Sequence, residues 1–415
     1  MKTDVAIVGG GPGGTACAMF LEQAGIRSTI IEKAQFPRYH IGESMTGECG
    51  NCLRTLGLAD EMVRRAHPVK WGVSVYGPGG KNPFYVPVKG RGPDGLFEAS
   101  TWQVRRSDFD RMMLDAARSR GVGFIHGEAV EPLRDAESVT GVRVRTATGV
   151  VEDVVSSVVI DASGPSTFLS RSNLTSRKER GNYDNQVAIF SQVSGGVRDA
   201  GKTAGDTLIF YQKKHHWAWF IPLDDESVSI GVVVPTEYFA SRKESKRDFL
   251  VRELHELNPE LKRRVPEIRL TEEVRAISNY SYDTRHFTGK GYLAIGDSHR
   301  FIDPVFSFGL YFSIKEAEHA AAATAAYFKG LGRDDDNPFL GYEQRSNAGM
   351  DVVQELIDAF WNQPVAFAVM VHSRYTEDCI DMFAGRVYMD EPSPGLLAFR
   401  KVNGRIAPSP AIVGG

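Results

Sequence analysis

Gly9, Gly11 and Gly14 form a GxGxxG directly after the β-branched run Val5-Ala6-Ile7-Val8, and a second apolar run, Thr29-Ile30-Ile31, ends in Glu32. A strand that feeds such glycines into a helix turns tightly, lets a pyrophosphate approach the backbone and aims the positive helix end at it. Glu32 falls where a carboxylate accepts a hydrogen bond from a ribose 2′-hydroxyl. The chemistry implied is the binding of an adenine dinucleotide. The cradle alone leaves FAD and NAD open.

Two later segments decide between them. Val158-Val159-Ile160-Asp161-Ala162-Ser163-Gly164 is an apolar strand ending in an acid and small residues, which returns the chain to the nucleotide sheet. Gly291-Tyr292-Leu293-Ala294-Ile295-Gly296-Asp297 is another, followed by Pro304, Ser307 and Gly309 before an alanine-rich helix. A nicotinamide domain needs no strand so far downstream, whereas FAD spans a long cleft and does. The cofactor expected is FAD.

The elements that must position these residues alternate strand and helix as far as about Ser170. Phe109 to Arg118 reads as a helix, Val122 to Ile125 as the next parallel strand, and Val142 to Val159 as a β-meander around Thr148-Gly149. From Val187 to Val234 short alternating strands predict an antiparallel sheet with a substrate face. Helical patterns return at Lys246 to Leu257, at Ser313 to Phe328 and from Asn337 to about Arg386, followed by a loop-rich end with Pro392, Pro394, Pro408 and Pro410.

At 415 residues, 42% hydrophobic and 24% charged, the chain can bury a large core. A net charge of −3 offers no basic field for nucleic acid or anionic lipid. No apolar stretch approaches the roughly 20 residues of a membrane span, and the N-terminus has neither a basic start nor a small-residue cleavage site. A soluble, cytoplasmic protein is expected. Cys49 and Cys52 form a CxxC, but without a second pair or histidines at zinc spacing they read as buried structure, and no metal is expected.

In this order the motifs resemble the FAD-dependent monooxygenases of the para-hydroxybenzoate hydroxylase fold over roughly residues 1 to 330. That resemblance implies an α/β fold: a Rossmann-like FAD-binding domain of the GR2 type, an inserted, mainly antiparallel substrate domain and a C-terminal helical extension. The expected boundaries are 1–70, 98–170 and 275–330 for the FAD-binding domain, 71–97 and 171–274 for the substrate domain, and 331–415 for the helical cap. By the same resemblance Asp297 holds the ribitol chain, while Gly309 and Leu310 offer backbone N–H groups to the flavin ring. A positive helix end there suits the negative charge of reduced flavin.

A narrower match lies in His216-Trp217-Ala218-Trp219-Phe220-Ile221-Pro222, whose WxWxIP is similar to the signature of flavin-dependent halogenases. Period two alone makes Trp217, Trp219 and Ile221 one face of a buried strand. Pro37-Arg38, His40 and Gly42-Glu43-Ser44 resemble the halogenase segment after the second strand, and Lys70 falls at the position of the family's catalytic lysine. Packed between Pro68 and Trp71-Gly72, such an ammonium becomes less basic, which suits a group that meets an electrophilic oxidant. The cofactor-binding set implied is Gly9, Gly11, Pro12, Gly13, Gly14, Glu32, Lys33, Arg38, Gly42, Glu43, Ser44, Arg106, Asp161, Gly296, Asp297, Pro304, Gly309 and Leu310. Ser307, Phe308 and Gly309 would hold the halide, and Trp217, Trp219, Ile221 and Pro222 would shield organic substrate from the flavin.

The resemblance implies a reaction. FADH2, delivered by a partner reductase because the chain has no second fingerprint for NAD(P)H, adds oxygen to give a C4a-hydroperoxide. Chloride or bromide attacks it, and the hypohalous acid travels to Lys70 and an electron-rich ring. Phe306 stands where tryptophan halogenases carry a glutamate, which points to phenolic or pyrrolic rings, and Phe308 stands where a Ser or Thr is usual, which narrows the halide pocket. Leu356 to Pro364 and Phe383 to Tyr388 resemble the cap of halogenases from natural-product pathways, whose substrates are sometimes tethered to a carrier protein. Other readings remain open at this point: an aromatic hydroxylase, an isoprenoid double-bond reductase, or an inactive flavin-binding partner subunit.

Overall fold

The computed structural model describes residues 1–180, 185–278 and 280–404. Five parallel strands form the centre of the first sheet, in the order Gly123–Arg134, Ser28–Glu32, Val5–Val8, Val158–Asp161 and Tyr292–Ala294. Val5–Val8 is buried along its whole length, as a central parallel strand covered on both faces must be. Its chain turns directly into helix Pro12–Gln23, which starts with Pro12 at a position where no backbone N–H is needed. That helix lies against Gly309–Phe328 at close range, since a Cβ on Gly13 would stand 3.1 Å from the Ser313 carbonyl.

Val139–Thr146 and Val151–Val155 form an antiparallel hairpin, and Val158–Asp161 returns the chain to the nucleotide sheet as expected, pairing in parallel with Val5–Val8, so the meander ends before Val158 and not at Val159. Four consecutive buried residues, Val158 to Asp161, fit the interior of a covered sheet better than a half-exposed hairpin.

The second sheet runs Arg269–Leu270, Gln186–Ser194, Ser227–Pro235, His216–Pro222, Thr207–Lys213, Gly72–Tyr76, Phe84–Pro87. All its contacts are antiparallel except that between Thr207–Lys213 and Gly72–Tyr76. Arg275–Ser278, expected with the nucleotide-binding part, pairs with Gln186–Ser194 in this sheet. Period two divides each strand between two cores. Trp217, Trp219 and Ile221 join the core shared with the first sheet, whereas Ala218 and Phe220 pack outward beneath helices Lys246–Glu256 and Pro259–Arg264.

Helices Leu340–Asn362, Pro364–Val371 and Thr376–Ala384 follow the long alanine-rich helix. The end of the chain is not all loop. Pro394–Val402 is a helix, with Ser393 capping the Leu396 N–H at 3.2 Å and Pro394 in the first turn, so this proline starts a helix instead of breaking one. Pro408 and Pro410 lie outside the described residues. Among the described residues no helix is long and apolar enough to cross a membrane.

Candidate functional site

The first sheet ends in a cavity of about 710 Å³ that runs from Gly9, Gly11, Pro12, Gly13 and Glu32 to Trp217, Trp219 and Ser307. Gly9 has φ +111° and its N–H donates to the Ile31 carbonyl at 2.9 Å, so the turn leaves the strand in a conformation that other residues resist. Gly14 does not line the cavity; a Cβ there would lie 2.0 Å from the Gly9 carbonyl, so it permits the turn and makes no contact itself. The Glu32 carboxylate accepts from Gly10 N–H at 2.7 Å and Ala34 N–H at 2.6 Å, which fixes it at the strand end with lone pairs to spare for a ribose. Lys33 stands at the rim, 59% exposed, 4.0 Å from Glu128.

Two further residues expected to touch the cofactor do not line the cavity. Asp161 is fully buried and accepts from the N–H groups of Ser163 at 2.9 Å and Leu169 at 2.8 Å, closing its own strand-end turn. Gly296 is likewise absent from the cavity wall, and its N–H donates to Glu316 at 2.6 Å. Their neighbours Ala162, Ser163 and Asp297 form the wall. Burial pushes Asp297 up to about 7, against the pull of Arg106. Arg106 is held by both oxygens of Asp110, at 2.7 and 3.0 Å, and donates to the carbonyls of Ile41 at 2.7 Å and Gly42 at 3.2 Å. It thereby positions the loop that carries Glu43 and Ser44. Arg38 lies 3.5 Å from the same Asp110.

Lys70 lies on the short strand Val69–Lys70, paired with Thr101–Trp102. The same stretch pairs with Ser44 through Gln103 and is flanked by Met45 N–H to the Trp102 carbonyl and Val104 N–H to the Glu43 carbonyl. Segments 43–45 and 69–70 are therefore clamped to one ribbon, and their side chains meet. Lys70 Nζ donates to Ser44 Oγ at 2.8 Å and to the Met45 carbonyl at 3.0 Å. Ser44 Oγ lies 2.9 Å from Thr207 Oγ1, which accepts from Gln103 Nε2 at 2.8 Å. Lys70 is 2% exposed, and burial pushes its ammonium down to about 8 although Asp206 favours the charge. An amine this close to losing its proton can meet an electrophile as hydrogen-bond donor or as nucleophile.

Lys70 does not line the large cavity. It faces a second one of about 20 Å³, with Thr46, Val86, Val88, Phe306, Phe383 and Ala384 in its wall. Ser307 and Ile209 line both cavities, so the two meet there. The smaller has room for a water-sized guest.

Ser307 has φ +60° between the 3₁₀ turn Pro304–Phe306 and the helix starting at Gly309. Pro304, Ser307, Gly309 and Leu310 line the large cavity, and the first-turn N–H groups of that helix have no carbonyl four residues back to accept them. Phe308 corrects an expectation: its ring turns into the core, 6.1 Å from Tyr311 and 5.9 Å from Phe312, and narrows neither cavity. Trp217, Trp219 and Ile221 wall the large cavity, Trp219 Nε1 donating to Ser229 at 3.1 Å, whereas Pro222 ends the strand outside it.

Cys49 and Cys52 are buried on helix Gly47–Thr55, and burial pushes both thiols up, Cys52 to about 12, as for cysteines packed in a core. Residues not foreseen are Gln103 and Thr207 in the Lys70 network and Phe383 and Ala384 facing Lys70. Thr207 was legible, since period two places it on one face with Ile209 and Tyr211.

Comparison with known proteins follows from this geometry. The family model described as FAD binding domain matches residues 2–355. The chain is 35% identical over 387 residues to a 1H-pyrrole-2-carbonyl (peptidyl-carrier protein) brominase of Pseudoalteromonas luteoviolacea, covering 93% of this chain and 92% of the relative. It is 26% identical over 412 residues to the corresponding chlorinase of Pseudomonas fluorescens, covering 93% and 89%. Among solved structures, the flavin-dependent brominase Bmp2 matches with a TM-score of 0.90 at 35% identity, over 97% of this chain and 98% of the other. The myxobacterial chondrochloren halogenase CndH matches with a TM-score of 0.80 at 26% identity, over 99% and 98%.

Proposed function

The chain belongs to the flavin-dependent halogenases, and from that premise we propose that it halogenates a pyrrole ring presented on a carrier protein, with Lys70 guiding the halogen. Bound reduced FAD, with oxygen, supplies the oxidising equivalent that turns chloride or bromide into hypohalous acid. The protein's part is placement. Gly9, Gly11, Pro12 and Gly13 would face the pyrophosphate, Glu32 the adenosine ribose and Asp297 the ribitol. The helix end at Gly309 and Leu310 would face the flavin ring, and Ser307 the halide. Tyr280, Tyr282 and Phe190 complete the wall of this cavity.

The observation that carries the reading is the position of Lys70. It sits across Ser307 and Ile209 from the flavin cavity, its ammonium bonded to Ser44, in a pocket whose other walls are largely apolar. Ser307 and Ile209 form the partition that a small oxidant would cross to reach Lys70. Phe306, in place of a carboxylate, leaves the ring side apolar, which suits a neutral, electron-rich pyrrole. The relatives with the fullest coverage are named for pyrrole held on a carrier, and this supports a tethered substrate. A separate flavin reductase would supply FADH2.

The test is reconstitution with FAD, a flavin reductase, NADH, oxygen and bromide or chloride, offering pyrrolyl carrier protein beside free pyrroles, phenols and indoles. Halogen isotope patterns on the carrier-bound pyrrole are expected. Lys70→Ala should bind and reoxidise FAD but leave the ring unhalogenated. Hydroxylated rings, or halogenation retained in Lys70→Ala, would overturn the proposal.

A further inference from the structure

We propose that Glu43 is the proton donor for halide oxidation: a carboxyl group in the wall of the flavin cavity that gives up its proton as the oxidant is reduced and regains it between turnovers. This rests on the halogenase reading above. The conversion FADH2 + O2 + X⁻ + H⁺ → FAD + HOX + H2O consumes one proton. Two electrons leave the flavin, two leave the halide, and oxygen takes all four. The O–O bond breaks as the O–X bond forms, and the oxygen that departs as water must be protonated. An acid held in the cavity wall can supply that proton directly.

Glu43 is placed and equipped for it. It lines the flavin cavity yet is only 2% exposed. Its Oε2 accepts from Gly42 N–H at 3.2 Å, while Oε1 has no hydrogen-bond partner among the described residues. A buried carboxyl oxygen left unpaired suits the neutral, protonated form of the group. Burial pushes the group up to about 7, against the Ser229 hydroxyl, Arg106 and the Gly42 N–H, which favour the carboxylate. Once the proton has left, Arg106 steadies the anion.

The surrounding groups do not compete. Helix Arg106–Ser119 brings Arg106 and Asp110, locked to each other. Glu43's own segment brings Tyr39, whose phenol burial pushes far up, and His40, which Arg106 and burial push down to about 4. Arg275 rests on the Tyr39 ring at 4.3 Å. The strands behind contribute the Ser229 hydroxyl and the Trp219 indole bonded to it. Lys70 is turned to the other cavity beyond Ser44. Glu32 and Asp297 line the same cavity, Glu32 held by the Gly10 and Ala34 N–H groups and Asp297 pushed up by burial as Glu43 is.

The experiment uses holoenzyme, reduced flavin, oxygen and bromide with a small-molecule trap for hypobromous acid and no ring substrate. Glu43→Gln should hold FAD within about threefold of the wild-type affinity and form hypobromous acid at least about 10-fold more slowly at pH 7. The wild-type rate should fall above neutral pH and the variant's should not. In ¹³C-carboxyl spectra of glutamate-labelled protein, a resonance titrating near neutrality should vanish in Glu43→Gln. An unchanged rate and profile, or a slower rate explained by weaker FAD binding with the profile intact, would overturn the proposal and leave Glu43 a cofactor-holding residue only. A wild type that forms no hypobromous acid at all would instead defeat the halogenase reading beneath it.

Discussion

Lys70→Met should make the FAD-free protein more stable near neutral pH, and its advantage should disappear in alkali. Holding an ammonium at about 8 instead of its ordinary 10.5 costs the folded state about 3 kcal/mol at pH 7. Methionine keeps most of the packed volume and removes the charge. Against that gain, the Met45 carbonyl loses its partner, while Ser44 keeps Thr207; an orphaned acceptor costs about 1 to 3 kcal/mol. The net effect at pH 7 is a gain of up to about 2 kcal/mol. The pH dependence is the sharper quantity. Between pH 8 and 10.5 the unfolded chain binds more protons at this position than the folded one, so wild-type stability rises with pH there. From pH 7 to 9.5 the rise is about 2 kcal/mol, and Lys70→Met lacks it. Urea unfolding of both proteins at the two pH values measures the difference directly. A gap between variant and wild type that stays constant over that range would refute the claim that Lys70 is held as a desolvated ammonium.

Gly14→Ala places a methyl 2.0 Å from the Gly9 carbonyl and should weaken FAD binding at least about 10-fold in a flavin fluorescence titration; unchanged affinity would show that the turn has slack. Glu316 is fully buried and holds the Gly296 N–H, His299 Nε2 at 2.9 Å and Ser346 Oγ. Glu316→Gln should lower stability by about 3 to 5 kcal/mol in urea unfolding and loosen FAD, because the Gly296 turn carries Asp297. Phe306→Ala opens the ring cluster with Phe360, Phe367 and Phe383, at about 3 to 5 kcal/mol of stability. It should raise kcat/KM for indoles relative to pyrroles, and an unchanged ratio would mean that ring size is sensed elsewhere.

The parts of the site that are local in the chain were legible in the sequence. The glycine fingerprint, the strand before it and Glu32 are specified within one supersecondary unit, and the period of two predicted that Trp217, Trp219 and Ile221 share a face. What escaped was direction across the fold. Asp161 and Gly296 sit beside the cofactor cavity, yet Asp161 spends its hydrogen bonds on the turn after its strand and Gly296 gives its N–H to Glu316 on the long helix, and sequence spacing does not distinguish such structural residues from ligands. The Phe308 ring could point into the halide site or into the core, and only the packing of Tyr311 and Phe312 decides. The Lys70, Ser44 and Thr207 network joins three segments through the ribbon at 101–104, a pairing between short stretches that no periodicity announces.

The two cavities place separate demands on the chain. The larger must hold a charged, elongated cofactor, and it is lined by backbone amides, Glu32, Asp297, Glu43 and a tryptophan wall. The smaller, under the proposed function, would bring a ring to an oxidant away from the flavin, and apart from Lys70 its walls are largely apolar. They touch only at Ser307 and Ile209. At about 20 Å³ the smaller cavity is too tight for a pyrrole, so a ring reaches Lys70 only when its walls move. Val86 and Val88 belong to the second sheet and its flank, whereas Phe383 and Ala384 end a cap helix, and Phe306 packs on Phe367 of its neighbour. Phe306 and the cap residues Phe383 and Ala384 are then the walls whose substitution should alter which rings reach Lys70.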